Sequence, residues 1–90
     1  MKIEVTRNAP AEMLEKLGCH SWSTWGKGPS VFPWTYDDKE TALIIEGKVT
    51  VTPNGGEPVT IGKGDLVVFP AGMSCTWDVK EAVQKHYKFG

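Results

Sequence analysis

The chain has 90 residues, of which 40% are hydrophobic and 23% are charged, and its formal net charge is −1. This length allows one domain with a single core, which we expect to span residues 1–90. A net charge so close to zero gives no electrostatic reason to expect nucleic acid or an anionic membrane as a partner. The composition is that of an ordinary soluble globular domain.

The N-terminus and the cysteines indicate a compartment. Residues 1–4 contain no apolar signal region, and no segment of the chain approaches membrane-spanning length. Two cysteines in a chain without a signal peptide are most simply free thiols in a reducing environment. We therefore expect a cytoplasmic protein.

The first predicted elements are a short strand and a short helix. Residues 3–5 alternate apolar and polar side chains, which is typical of a half-buried strand. A helix is then predicted, with Asn8 or Ala9 as its cap, Pro10 in its first turn and Gly18 at its end. Because two turns of helix do not persist alone in water, we expect this helix to pack on a sheet.

Short apolar runs separated by turn residues follow from residue 31 onward. The pattern predicts strands at 31–36, 41–46, 48–52, 59–61, 66–69, 75–79 and 84–89. The segment 53–56, Pro-Asn-Gly-Gly, is the clearest hairpin signal, since Asn and Gly tolerate the positive φ of a tight turn. Gly26 to Pro29 is read as a turn, and Trp22 and Trp25 as packing residues at a sheet edge or subunit interface. Strands this short and this closely spaced favour a sandwich or a barrel over a parallel α/β fold.

Two groups of residues with fixed spacing stand out within this pattern. The first, at 28–47, consists of Gly28, Trp34, Tyr36, Glu40 and Gly47. The second, at 64–79, consists of Gly64, Asp65, Pro70, Gly72, Cys75 and Val79. With these spacings the chain resembles the cupin superfamily, whose members carry G-x5-H-x-H-x3/4-E-x6-G followed by G-x5-P-x-G-x2-H-x3-N. The resemblance implies an all-β fold, a single-domain cupin jelly roll (double-stranded β-helix) with one short N-terminal helix.

The residues around these motifs are also similar to those of one group of small cupins. Phe32, the segment 45–49, Trp77 and Lys85-x-Tyr87 resemble the cupin domain of (S)-ureidoglycine aminohydrolase. That likeness implies an enzyme that acts on a C–N bond of a ureide-like substrate and uses a divalent metal. Fold is implied more securely than activity, because one fold hosts many functions.

The family's metal ligands are replaced in this chain. Trp34, Tyr36 and Cys75 stand where the three histidine ligands of the cupin motif would be, and Glu40 alone keeps its ligand type. Indole nitrogen is a donor only, and a tyrosine binds metal only as a costly phenolate. Glu40 and Cys75 remain as weak metal candidates, with the thiol favouring Zn²⁺ or Cu⁺. We expect no cofactor, and leave a divalent metal as the alternative.

The same positions supply the candidate functional residues. Trp34, Tyr36 and Trp77 predict an aromatic pocket for a small ligand, or alternatively rings that fill the interior. Glu40 is a general acid or base facing inward, or else a surface glutamate. Cys75 is a ligand or nucleophile, or an inert buried thiol.

The last strand adds one further candidate. Lys85 and Tyr87 share one face of it and His86 points to the other. If Lys85 faces inward, it offers Glu40 a charge partner or binds a substrate carboxylate. Otherwise, Lys85 and His86 lie at a solvated sheet edge and block the addition of another strand.

Three functions remain open on these residues. The first is binding of a small polar molecule in a pocket of Trp34, Tyr36, Glu40, Cys75, Trp77 and Lys85, without the usual histidine-ligated metal. The second is the C–N enzyme on a ureide-like substrate. The third is a structural or regulatory interaction protein. In each case we expect a monomer or a homodimer.

Overall fold

The computed structural model describes residues 2–90, which contain one α-helix and seven strands. The helix is α1 (Ala11–Leu17), followed by a 3₁₀ turn at Cys19–Ser21. The strands are β1 (Glu4–Thr6), β2 (Ser23–Lys27), β3 (Ser30–Thr35), β4 (Glu40–Pro53), β5 (Val59–Gly62), β6 (Leu66–Phe69) and β7 (Ser74–Phe89). Within this range no helix is long and apolar enough to cross a membrane.

Two long strands organise the sheet. β4 and β7 pair antiparallel along nearly their whole length, and the other strands flank them in the order β1-β6-β4-β7-β2. β5 adds to the second half of β4, and β3 adds to the first half of β7. This antiparallel arrangement, with one short helix, is that of a single-domain cupin jelly roll, as the sequence predicts.

The long strands correct the predicted boundaries. Segments 41–46 and 48–52 are one strand, because Gly47 adopts a φ of 91° within a bulge and the ladder continues past it. A side chain at Gly47 would overlap the backbone carbonyl of Ala82 on β7, so the two strands approach each other closely there. Segments 75–79 and 84–89 are likewise one strand, held extended by their pairing with β4. Residues 23–27 form β2, where the sequence indicated packing residues and a turn.

The helix begins later than predicted, and it contacts the sheet through Leu14, which packs against the cluster that includes Leu43 and Leu66. Pro10, with extended backbone, is the N-cap instead of Asn8 or Ala9. The Ala9 N–H donates to the carbonyl of Gly64 at 2.9 Å, and this ties the preceding segment to the loop before β6. Gly18 ends the helix in the left-handed conformation, as expected.

Two apolar clusters hold the domain together. The larger lies inside the jelly roll and includes Tyr36, Phe69 and Trp77. The smaller lies under α1 and the 3₁₀ turn, where Cys19 packs with Leu43 and Leu66. The larger cluster continues into the wall of a cavity, which is the candidate site.

Candidate ligand-binding site

A cavity of about 160 Å³ lies between β2, β3, β4 and β7. Its wall is aromatic apart from one acid and one amine. Nine side chains form it: Trp25, Phe32, Trp34, Tyr36, Glu40, Trp77, Lys85, Tyr87 and Phe89. Trp34 and Phe89 are 47% and 50% exposed and form its rim, whereas Tyr36 and Trp77 are almost completely buried in its wall.

Strand alternation explains which part of β7 reaches the cavity. Lys85, Tyr87 and Phe89 are two residues apart, so their side chains project to the same face. His86 projects to the opposite face, where Nδ1 lies 3.4 Å from the carbonyl oxygen of Trp22. The prediction that Lys85 and Tyr87 share a face, with His86 on the other, is confirmed, and the inward alternative for Lys85 is the correct one.

An ion pair supplies the charge in this cavity. The Lys85 ammonium Nζ donates to Glu40 Oε2 at 2.6 Å, and the two side chains are only 7% and 3% exposed. Glu40 therefore faces inward, as its place in the first motif suggests. A salt bridge this buried is weak evidence for stability, because the desolvation cost of two charges offsets their attraction.

Three aromatic rings surround the ammonium. Nζ lies 4.7 Å from the ring centroid of Trp77, 4.9 Å from that of Trp25 and 5.4 Å from that of Tyr87. Electron-rich ring faces at this range attract a cation. Trp25 holds its position because it is directly opposite Lys85 in the β2–β7 register.

Two opposing effects act on the pKa of the Lys85 amine. Burial lowers the pKa of Lys85, while the charge and hydrogen bond of Glu40 act to raise it, and burial is the larger effect. An amine in this setting is closer to releasing its proton at neutral pH than an exposed lysine. A perturbed titratable group in a cleft is a common property of functional sites.

Tyr36 and Trp77 form the neutral polar part of the wall. The indole Nε1 of Trp77 donates to the phenolic oxygen of Tyr36 at 3.2 Å. The Tyr36 ring stacks on Phe69 with a centroid separation of 4.9 Å and an interplanar angle of 7°. Burial, with a smaller contribution from the negative charge of Glu40, raises the pKa of Tyr36 well above its ordinary value. The phenol therefore stays protonated.

Cys75 is the predicted site residue that does not line the cavity. Its side chain is buried, and Sγ–H donates to the carbonyl oxygen of Trp34 across the β3–β7 pairing at 3.5 Å. Burial is the largest reason why the pKa of Cys75 is raised. The other five predicted binding residues, Trp34, Tyr36, Glu40, Trp77 and Lys85, all line one cavity.

The sequence interpretation missed four cavity residues. Phe32, Tyr87 and Phe89 were not assigned to a site, and Trp25 was read as a packing residue. The spacing Lys85-x-Tyr87-x-Phe89 did contain a usable signal, since alternate strand residues share a face. Nothing local to Trp25 could place it, because its position depends on the pairing of β2 with a strand about 60 residues away.

The side chains at the motif's ligand positions do not fit the histidine-ligated metal of the cupin family. Trp34 has no lone pair to offer, and the Tyr36 phenol stays protonated. The Glu40 carboxylate is already bound to an ammonium, and the Cys75 thiol donates to a backbone carbonyl. No group of three or more His, Cys, Asp or Glu side chains within residues 2–90 is arranged to hold a metal ion.

Comparison with protein families places this geometry in a known group. The model of the EutQ-like cupin domain matches residues 14–87. The chain belongs to the EutQ-like cupin family. The sequence prediction of a cupin domain is therefore confirmed, and the match covers both motifs and every residue of the cavity wall except Phe89.

Solved structures agree with this assignment. A DUF861-family protein from Thermotoga maritima is 43% identical with a TM-score of 0.96, over 99% of this chain and all of that one. A DUF861-family protein from Pseudomonas syringae is 28% identical with a TM-score of 0.64, over 71% of this chain and 28% of that one. The EutQ protein of Clostridium difficile, 22% identical with a TM-score of 0.65, shares the fold over 71% of this chain and 50% of its own. Among curated proteins there is no match.

Proposed function

We propose that this EutQ-like cupin binds a small polar molecule in its aromatic cavity without a histidine-ligated metal. The observation that carries the proposal is the buried Lys85–Glu40 pair, which lines a cavity whose other side chains are all aromatic. A mostly apolar pocket with a few converging polar groups is the usual form of a small-molecule site. Since a buried ion pair adds little net stability, ligand recognition is a better reason for it to be there.

The dimensions and chemistry of the cavity limit the ligand. A cavity of about 150 Å³ holds one benzene molecule in a well-known engineered case, so a volume of about 160 Å³ suits a ligand of one-ring size. The ammonium of Lys85 has three N–H donors and gives one of them to Glu40. A carbonyl or carboxylate oxygen of the ligand accepts from the others, while flat groups contact the rings of Trp25 and Trp77.

Thermal unfolding in the presence of small acids, ureides and sugars tests this proposal. A compound that binds the folded state alone raises the melting temperature, by mass action, as its concentration rises. Trp34→Ala changes the rim and Lys85→Met removes the donor, so both should reduce the shift. Lys88→Met is the matched control, because Lys88 is on the same strand and exposed. Equal shifts in all four proteins would contradict the proposal.

A second candidate function is catalysis at a C–N bond of a ureide-like substrate. The observation in its favour is a carboxylate and an amine at 2.6 Å in a cavity, which is a pair able to pass protons to and from a bound substrate. The resemblance to the cupin domain of ureidoglycine aminohydrolase suggests the substrate class, although the metal used there has no matching ligands here. Release of ammonia from ureides, lost in Glu40→Gln, is the test. No release by the wild-type protein would reject it.

A further inference from the structure

We propose that Lys85 is a nucleophile that forms an imine with the carbonyl carbon of a small aldehyde or ketone in the cavity, with Glu40 as the proton carrier. This inference rests on the proposed function, since it needs a ligand in the same cavity. It adds the chemical class of that ligand and a covalent step.

The position of the Lys85 amine supports a nucleophilic role. Nζ lines the cavity, yet its side chain is only 7% exposed, so a ligand in the cavity meets an amine largely removed from bulk water. Neutral amine is the reactive form, and desolvation in an apolar pocket is one established way to produce it at neutral pH. The direction of the Lys85 pKa agrees with this geometry.

Glu40 is placed to move the protons that imine formation requires. Its Oε2 is 2.6 Å from Nζ, within the range of direct proton transfer. It is also the sole acidic side chain in the cavity wall formed by the described residues. Tyr36, the neighbouring hydroxyl, is held neutral by burial and is available to donate a hydrogen bond to the ligand oxygen.

The step balances with these two residues and the carbonyl compound alone. The Lys85 ammonium passes a proton to Glu40, and the free amine attacks the carbonyl carbon to form the C–N bond. Glu40 gives this proton to the carbonyl oxygen, which becomes the hydroxyl of a carbinolamine. The resulting Glu40 carboxylate then accepts the surplus proton of the nitrogen. Glu40 then protonates that hydroxyl, the C–O bond breaks, and water leaves. The products are a protonated imine, one water molecule and the Glu40 carboxylate.

The site also suits the product of this step. The protonated imine carries its positive charge on the same nitrogen as the ammonium does. Trp25, Trp77 and Tyr87 surround that nitrogen at 4.7 to 5.4 Å, and the Glu40 carboxylate lies beside it. Ring faces and a carboxylate stabilise a cation whose water shell has been removed. These three rings and the carboxylate can therefore accommodate the protonated imine as they do the ammonium.

The other lysines of the chain provide a comparison for the reactivity of Lys85. Lys85 is the one buried lysine among the described residues, and the other eight are exposed. Those eight are Lys2, Lys16, Lys27, Lys39, Lys48, Lys63, Lys80 and Lys88. Their amines are exposed to water and lack the desolvation that acts on Lys85, so we expect them to react more slowly with a dilute aldehyde.

Reductive trapping with benzaldehyde tests the inference. The folded wild-type protein is incubated at neutral pH with benzaldehyde and then with borohydride, and its peptides are mapped by mass spectrometry. We expect one benzyl group, on Lys85, formed at least about tenfold faster than on any exposed lysine. Lys85→Arg should lose this adduct and Lys88→Arg should keep it. Glu40→Gln should slow it by roughly a hundredfold, the usual size of a general acid–base contribution.

The wild-type map alone is decisive if a variant fails to fold. Labelling of Lys85 no faster than that of the exposed lysines would overturn the inference. Benzyl alcohol, which has the same ring and no carbonyl, separates this failure from failure of the proposed function. If benzyl alcohol still raises the melting temperature, and Lys85→Met abolishes that rise, the cavity binds ligands without forming an imine.

Discussion

Glu40 and Lys85 are 45 positions apart in the chain, and their side chains meet at 2.6 Å although they are not cross-strand partners. In the β4–β7 register Glu40 is opposite Phe89 and Lys85 is opposite Ile44. The Lys85 side chain must therefore run along the sheet, past Ala42, to reach the carboxylate. Ala42 projects to the same face as Glu40 and Ile44, and its single methyl group leaves space for that path.

Substitutions of Glu40 and Lys85 should have strongly coupled effects on the free energy of unfolding. Removing either partner leaves an uncompensated buried charge, so Glu40→Gln or Lys85→Met should each lower the free energy of unfolding by about 3–5 kcal/mol. The double variant should lose less than the sum, because neither charge is then left alone. Urea unfolding followed by tryptophan fluorescence measures all four proteins. Additive losses would show that the pair does not act as a unit.

A surface pair provides the control for this cycle. Glu12 and Lys16 are four residues apart on α1 with side chains 84% and 78% exposed, and their charged atoms are 3.9 Å apart. Water and salt screen such a pair. The same substitutions there, Glu12→Gln and Lys16→Met, should change the unfolding free energy little and show no coupling.

The Glu40–Lys85 ion pair should require a small side chain at Ala42. Ala42→Val adds two methyl groups in the path of the Lys85 side chain and should lower the free energy of unfolding by about 1–3 kcal/mol through overpacking. Ala82→Val is the matched control, because Ala82 lies on β7 and is exposed. Urea unfolding measures both. Equal effects of the two substitutions would contradict this path for Lys85.

Stability should fall at high pH because Tyr36 is buried as a neutral phenol. The folded state raises the pKa of Tyr36, so above its ordinary value of 10.0 the unfolded chain releases this proton while the folded chain retains it. Fewer protons on the unfolded state mean that the unfolding free energy decreases as pH rises, by up to about 1.4 kcal/mol per pH unit. Lys85 acts in the opposite direction below 10.5, where its lowered pKa makes stability increase with pH.

The difference between wild type and Tyr36→Phe isolates the phenol from Lys85. Urea unfolding at several pH values from about 8 to about 11 gives that difference. We expect it to be constant below the phenol's ordinary pKa and to shift in favour of the variant above it. Parallel curves over the whole range would mean that the Tyr36 phenol ionises equally in both states.

Cys75 should be an inert thiol in the folded protein. Its side chain is buried, and burial raises the pKa of the thiol, so the reactive thiolate is scarce at neutral pH. Iodoacetamide should therefore alkylate Cys75 only in denaturant, as measured by peptide mass. Ser23→Cys is a positive control, because Ser23 is exposed on β2 and a thiol there should react at once. Rapid alkylation of native Cys75 would restore it as a candidate nucleophile.

Local residue patterns predicted much of the fold correctly. Strand 66–69 was placed correctly, and the helix end at Gly18 followed from the conformation that glycine allows. Errors arose where pairing with a distant strand overrides local signals. Gly47 and the charged residues Lys80 and Glu81 look like strand breaks, yet β4 and β7 hold each other extended through both.

The sequence by itself predicted the cupin superfamily, the jelly roll and five of the nine cavity residues, because motif glycines, prolines and strand alternation depend on neighbours in the chain. The tertiary structure alone decided that Lys85 faces Glu40, that Trp25 joins the cavity and that Cys75 does not line it. Alternation states which residues share a face, but not which face is inside. That choice is made by the register between strands far apart in sequence, which no local pattern records.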